Sequence, residues 1–158
     1  MIGSLPSMAG VRRVVAVGLL AAAALVGCGG DDQDAKADRT YIDQVNGAVQ
    51  RFAREARQLP AGFQADTLRT YSATLERTAT DLRAIEPPSS VTNLHAQLAG
   101  DVSAYADAID AAAGAPLSDD PDRIVAAQQK LLQATATANR EVNRTLKAIG
   151  QTLDAERG

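Results

Sequence analysis

The chain has 158 residues and a net charge of −3, from 16 basic and 19 acidic residues. That length suits about one domain, and a single cysteine excludes an internal disulfide, so burial alone must hold the fold. Lys and Arg are spread along the chain and form no block, which argues against nucleic acid as a partner, because phosphate binding needs concentrated basic charge.

Alanine is abundant, aromatics make up 3% of residues and tryptophan is absent, a mixture that favours helix over strand. Arg12 and Arg13 precede a 13-residue apolar run, Val14 to Val26. A membrane-spanning helix needs roughly 20 residues, whereas about 10–14 suit the core of an export signal. Leu25-Val26-Gly27-Cys28 follows and resembles the bacterial lipobox, in which the cysteine thiol accepts a diacylglyceryl group and a peptidase then cuts before the cysteine. The resemblance implies cleavage between Gly27 and Cys28, with Cys28 as the lipid-attachment residue. Other readings are an ordinary secretory signal cut elsewhere and a short anchor helix with a buried free cysteine. Met8 is an alternative start. Arg12-Arg13 also suits twin-arginine export, but the segment after them lacks the rest of that pattern. Two or three acyl chains on one cysteine would anchor stably where a single chain is marginal. Loss of both signal arginines leaves 14 basic and 19 acidic residues, a net −5.

Residues 28–39 read as the lipidated cysteine and a flexible acidic tether, Gly29 to Arg39 showing no apolar periodicity. About ten such residues reach roughly 17 Å. From Thr40 the pattern turns helical. Ile42, Val45, Val49, Phe52, Ala56 and Leu59 are spaced three and four apart, the seam of a helix packed on others, with Thr40 and Asp43 as a capping box and Leu59 to Gly62 as its end. Leu68, Tyr71, Leu75, Thr78, Leu82 and Ile85 repeat the spacing after a cap at Asp66. Pro87 and Pro88 break the chain. Val91, Leu94, Leu98, Val102, Tyr105, Ile109 and Ala112 form the third stripe, capped by Ser89 or Ser90. Asp120-Pro121 opens the longest helix, running to about Ala155 along Ile124, Leu131, Ala138, Val142, Ile149 and Leu153. Residues 40–158 are therefore expected to form an all-α, up-down-up-down four-helix bundle. The alternative is two helical hairpins with one helix extending past the rest. Many Ala and Thr in the seams predict a thin core.

Chemistry is hard to find in this pattern. A di-metal bundle site needs inward Glu-x-x-His pairs, but the one histidine, His95, has no Glu three residues before it. No metal and no cofactor are expected. His95 reads as a boundary residue beside the third stripe, or as a pH sensor. No nucleophile–base arrangement and no phosphate loop is present. Asp107 with Asp110 reads as a solvated face, and Asp119-Asp120 as capping. Arg51, Arg54 and Arg57 share the polar side of the first helix and could contact an anion, unless Glu55 pairs with Arg51. Asn139 and Asn143 lie beside the fourth seam.

"YIDQVNGAVQRF" opens the helical region and "LRAIEPPSSVTNLHAQLAGDVSAYADAI" forms its middle. With the lipobox and acidic tether, the chain resembles small cell-envelope lipoproteins of high-GC Gram-positive bacteria, whose members are mostly of unknown function. The resemblance implies a helical protein held on the outer face of the cell membrane by lipid on Cys28, and no activity; an envelope protein as a further partner is an expectation from the lack of a catalytic constellation. The residues suggest no enzyme but a non-catalytic binding or scaffold module. The alternatives are a carrier of a small apolar ligand or lipid between helices and an envelope stress or pH sensor.

Overall fold

A computed structural model describes residues 32–60, 62–115 and 119–156. Four helices account for nearly all of them: α1, Asp32–Gln58; α2, Ala65–Arg83; α3, Thr92–Ala112; and α4, Pro121–Ala155. A 3-10 turn, Ser89–Val91, precedes α3, and no strand occurs among the described residues. Cys28, Gly27 and the whole apolar run lie outside the described residues.

Side-chain contacts give the direction of each helix. Ser72 meets Ala106, Glu76 meets Ser103 and Leu82 meets His95, so α2 and α3 run antiparallel. Arg51 reaches Asp81 and Glu55 reaches Arg77, which makes α1 antiparallel to α2. Tyr105 meets Thr135 and Asp101 meets Thr145, giving the same relation between α3 and α4. The bundle is up-down-up-down, as the short breaks between stripes require. α2 and α3 share the most extensive contact, α4 packs on α3, and α1 leans on α2.

The seams read from the sequence point inward. Ile42, Val45, Phe52, Leu68, Leu75, Leu82, Leu98, Val102, Ile109, Val142, Ile149 and Leu153 are all buried in one cluster. Thr78 is buried too, its hydroxyl returned to the Thr74 carbonyl one turn back at 2.9 Å. Between these positions alanines fill the tightest places, with Ala48, Ala79, Ala99 and Ala106 almost fully enclosed.

Several local expectations are corrected. Residues 32–39, read as tether, form about the first two turns of α1. Ala35 and Asp38 are buried there, and with Ile42 they carry the three-and-four spacing back to the start of the helix. Thr40 is therefore inside α1 and opens no capping box; its hydroxyl donates to the Lys36 carbonyl at 2.9 Å. Gln64, not Asp66, is the N-cap of α2; Asp66 sits in the first turn and accepts from Arg69. Ser89 and Ser90 belong to the 3-10 turn, so Val91 takes the N-cap position of α3 and no side chain caps it. Gly62 takes a φ of 151° in the α1–α2 turn, a backbone that other residues rarely adopt. The expectation for α4 holds at both ends: Asp120 Oδ1 accepts from the Asp122 amide at 3.0 Å, Pro121 follows, and the helix ends at Ala155.

Burial sets the expected response to truncation. Leu82 and Ile149 are enclosed, so Leu82→Ala or Ile149→Ala should destabilise by about 2–5 kcal/mol. Leu132 is exposed, and Leu132→Ala should stay within about 0.5 kcal/mol. Urea unfolding followed by circular dichroism measures all three.

Candidate functional site

Two polar clusters sit inside the bundle. The first joins three helices at the Pro-Pro corner. His95, expected at a boundary, is buried at 5% exposure. Its Nε2 lies 2.9 Å from the Leu82 carbonyl and its Nδ1 lies 3.1 Å from the Tyr41 hydroxyl. A carbonyl only accepts, so Nε2 carries the proton and donates. In the neutral ring Nδ1 then accepts from the Tyr41 O–H. The two rings also meet edge to face, with centroids 5.5 Å apart. Leu82 lies in the last turn of α2, where helix carbonyls lack partners; its oxygen also accepts from the Ile85 amide at 2.9 Å. One imidazole thus ties α1 to the C-terminal end of α2. The spacing of the third stripe missed this because it ranked His95 as polar and set it beside the seam.

The second cluster is an aromatic recess to which all four helices contribute. Phe52 comes from α1, Tyr71 and Leu75 from α2, Val102 and Tyr105 from α3, and Thr135, Ala138, Asn139 and Val142 from α4. Phe52 meets Tyr71 edge to face at 5.7 Å, and Tyr71 meets Tyr105 likewise at 6.4 Å. The cavity volume is about 30 Å³, room for about one water. No charged side chain lines it.

Hydroxyl protons in this recess have a fixed direction. Thr135 donates its one proton to the Leu131 carbonyl at 2.8 Å, so at the 2.9 Å contact with Tyr105 it must accept. Tyr105 spends its proton there, and its ring meets Tyr71 edge to face. The chain runs Tyr105, Thr135, Leu131 carbonyl, and joins α3 to α4.

Burial pushes all three tyrosines up from their ordinary pKa, Tyr41 to about 12. For Tyr71 the neighbouring Tyr105 adds to the effect, and for Tyr105 the bond with Thr135, and then the neighbouring Tyr71, oppose it.

The three arginines read as an anion face do not act together. Arg51 is bound by Asp81 through Nε at 3.3 Å and Nη2 at 2.9 Å. Glu55 pairs with Arg77 across the interface at 3.4 Å, not with Arg51. Arg54 and Arg57 stay exposed, and Arg57 lies in the last turn of α1, where a cation suits the helix dipole. Asn139 lines the recess, and its carbonyl accepts from Asn143 Nδ2 at 2.7 Å. Asp107 and Asp110 are exposed on α3. Among the described residues no group of three or more His, Cys, Asp or Glu could hold a metal ion.

The tyrosines make alkaline pH informative. A tyrosine held above its unfolded pKa stabilises the fold fully below about pH 10, and that stability is lost as pH rises through the folded value, about 12 for Tyr41. Tyrosinate absorbance should therefore be nearly absent from the folded protein at pH 10. It should appear at higher pH together with loss of helical circular dichroism. At neutral pH, Tyr41→Phe should cost about 1 kcal/mol by removing the donor to His95, and His95→Ala about 1–3 kcal/mol by leaving the Tyr41 hydroxyl and Leu82 carbonyl unsatisfied. Urea unfolding reads both.

No family model, no curated protein and no solved structure matches this chain.

Proposed function

We propose that this protein is a lipid-anchored, non-catalytic binding module of the cell envelope. The observation that carries the reading is the ordered run of Arg12-Arg13, the apolar residues 14–26 and Leu25-Val26-Gly27-Cys28. Cys28 would accept the diacylglyceryl group and become the first residue after a cut behind Gly27. Among the described residues no helix is long and apolar enough to cross a membrane, so attachment to the outer face would rest on the acyl chains.

The start of α1 changes the geometry expected of this anchor. With the helix beginning at Asp32, only Gly29 to Asp31 separate it from Cys28. Even fully extended, that link spans at most about 14 Å. A short link would hold the bundle close to the headgroups and leave its long faces open to an envelope partner. A carrier of apolar ligands has less support, because such pockets hold on the order of 300 Å³ or more, about ten times the recess.

A second reading draws on His95. Its Nδ1 accepts from Tyr41, and a proton there would make it a donor and require the Tyr41 hydroxyl to turn its own proton to another acceptor. Asp38, also buried, lies one turn before Tyr41 on α1. If the pair makes the protein pH-responsive, circular dichroism between about pH 5 and 8 should differ between the wild type and His95→Gln. Superimposable profiles would reject this reading.

The anchor itself is tested in cells supplied with labelled palmitate. Wild type should incorporate the label and begin at residue 28. Cys28→Ser should take up none, keep residues 1–27 and migrate as a larger species. Wild type released into the medium without lipid would show that Cys28 is no acyl acceptor.

A further inference from the structure

Among the described residues, two large apolar side chains remain exposed, Val125 at 50% and Leu132 at 54%. Both lie on α4, seven residues and about two turns apart, so they share a face. Gln128, Gln129 and Ala136 are exposed beside them. From Ile124 to Asn139 the helix carries a single charge, Lys130. At about 100° per residue, Lys130 lies roughly 140° around the helix from Val125. The face itself is uncharged.

Its flank is not. Asp122 and Arg140 are both exposed. They stand eighteen residues apart, about five full turns, and therefore lie along the same edge of the face. Arg140 makes one bond, from Nη2 to Thr137 Oγ1 at 3.1 Å, which leaves its other N–H groups for a carboxylate. An antiparallel helix pair brings like edges together. A two-fold axis beside Leu131 and Leu132 would set each Asp122 against Arg140 of the other copy. It would also pack Leu132 on Leu132, and seat Val125 between Ala136 and Asn139 of the second copy.

We propose that this face of α4 is a homodimer seam, on which a second copy of the chain docks antiparallel with Leu132 at the centre and an Asp122–Arg140 pair at each end. The opposite charges at matched distances from one centre select a second copy over an unrelated helix, because the face is complementary to itself. One helix pair buries less than the roughly 800 Å² per partner of standard interfaces, so the association is weak and concentration-dependent. The seam stands on α4 alone and is independent of the anchoring reading.

Sedimentation equilibrium of the full chain in a density-matched nonionic detergent tests it. Wild type should pass from monomer to dimer with concentration, and the dimer should weaken as salt rises. Leu132→Glu should stay monomeric with unchanged helicity. Asp122→Arg and Arg140→Asp should each weaken the dimer about tenfold, and the double reversal should restore it. Restoration separates an ion pair from an effect of Asp122 on the helix end, which would persist in the double variant. A wild type that stays monomeric throughout, a dimer that survives Leu132→Glu, or a double reversal as weak as the single ones would overturn the proposal.

Discussion

The close contact between α2 and α3 is the constraint on which the rest of the bundle depends. Ala79 on α2 and Ala106 on α3 have no exposed surface, and Ala99 has almost none. Alanine at these points allows the two backbones to approach, and polar side chains then reach across. Ser72 donates to the Ala106 carbonyl at 2.9 Å, Ser103 to Glu76 at 2.7 Å, and His95 to the Leu82 carbonyl at 2.9 Å. Each bond fixes the same antiparallel register, so the pair cannot slide without breaking all three. The outer helices attach to this pair by fewer and more individual contacts. α1 is held by Tyr41 on His95 and Phe52 on Tyr71, and α4 by Thr145 on Asp101 and Thr135 on Tyr105.

The large residues of the seams made the architecture legible. Three-and-four spacing of Leu, Val, Ile and Phe identifies a buried stripe whatever the partner is, and Asp120-Pro121 marks a helix start through purely local chemistry. Alanines were not legible in the same way, because an alanine looks alike on a seam and on a surface: Ala106 is enclosed and Ala126 exposed. The start of α1 was missed for a related reason. Its inward positions are Ala35 and Asp38, one small and one charged, and a search for apolar periodicity passes over both. Caps at Asp66, Ser89 and Ser90 failed because each choice weighed side-chain preference alone. The chain enters α2 through the turn at Gly62 and enters α3 through a 3-10 turn, and those entries decide which residue ends up flanking the helix.

The interior of the site could not be read from spacing at all. Tyr71 and Tyr105 were placed on seams as apolar residues, and Thr135 was not singled out. Only packing brings the Tyr105 and Thr135 hydroxyls into one chain ending on the Leu131 carbonyl. In that arrangement each hydroxyl proton is already committed to the next acceptor, and the last acceptor is helix backbone. The recess therefore works as a satisfied polar joint between α3 and α4, against which the Tyr71 ring of α2 packs. The same holds at His95, whose two nitrogens are both engaged. Both clusters bear on how the helices are held, and the buried tyrosines couple that hold to their remaining neutral.

Helix length decides what is left over for contact with other molecules. α4 has 35 residues and α3 has 21, about 52 Å against 32 Å. Register places Thr145 beside Asp101 and Thr135 beside Tyr105, so the two helices match over the C-terminal part of α4. Buried residues occur there from Val142 to Leu153, and none occurs from Pro121 to Glu141. Solvated helix faces ordinarily carry charge, as α1 does with Arg51, Arg54 and Arg57. One face of the N-terminal half of α4 instead presents Val, Leu, Ala and Gln, with Asp122 and Arg140 along its edge and Arg123 and Lys130 turned away from it. A surplus of helix with no use would tolerate any soluble sequence. A surplus that keeps an uncharged face framed by complementary ends is shaped for another helix.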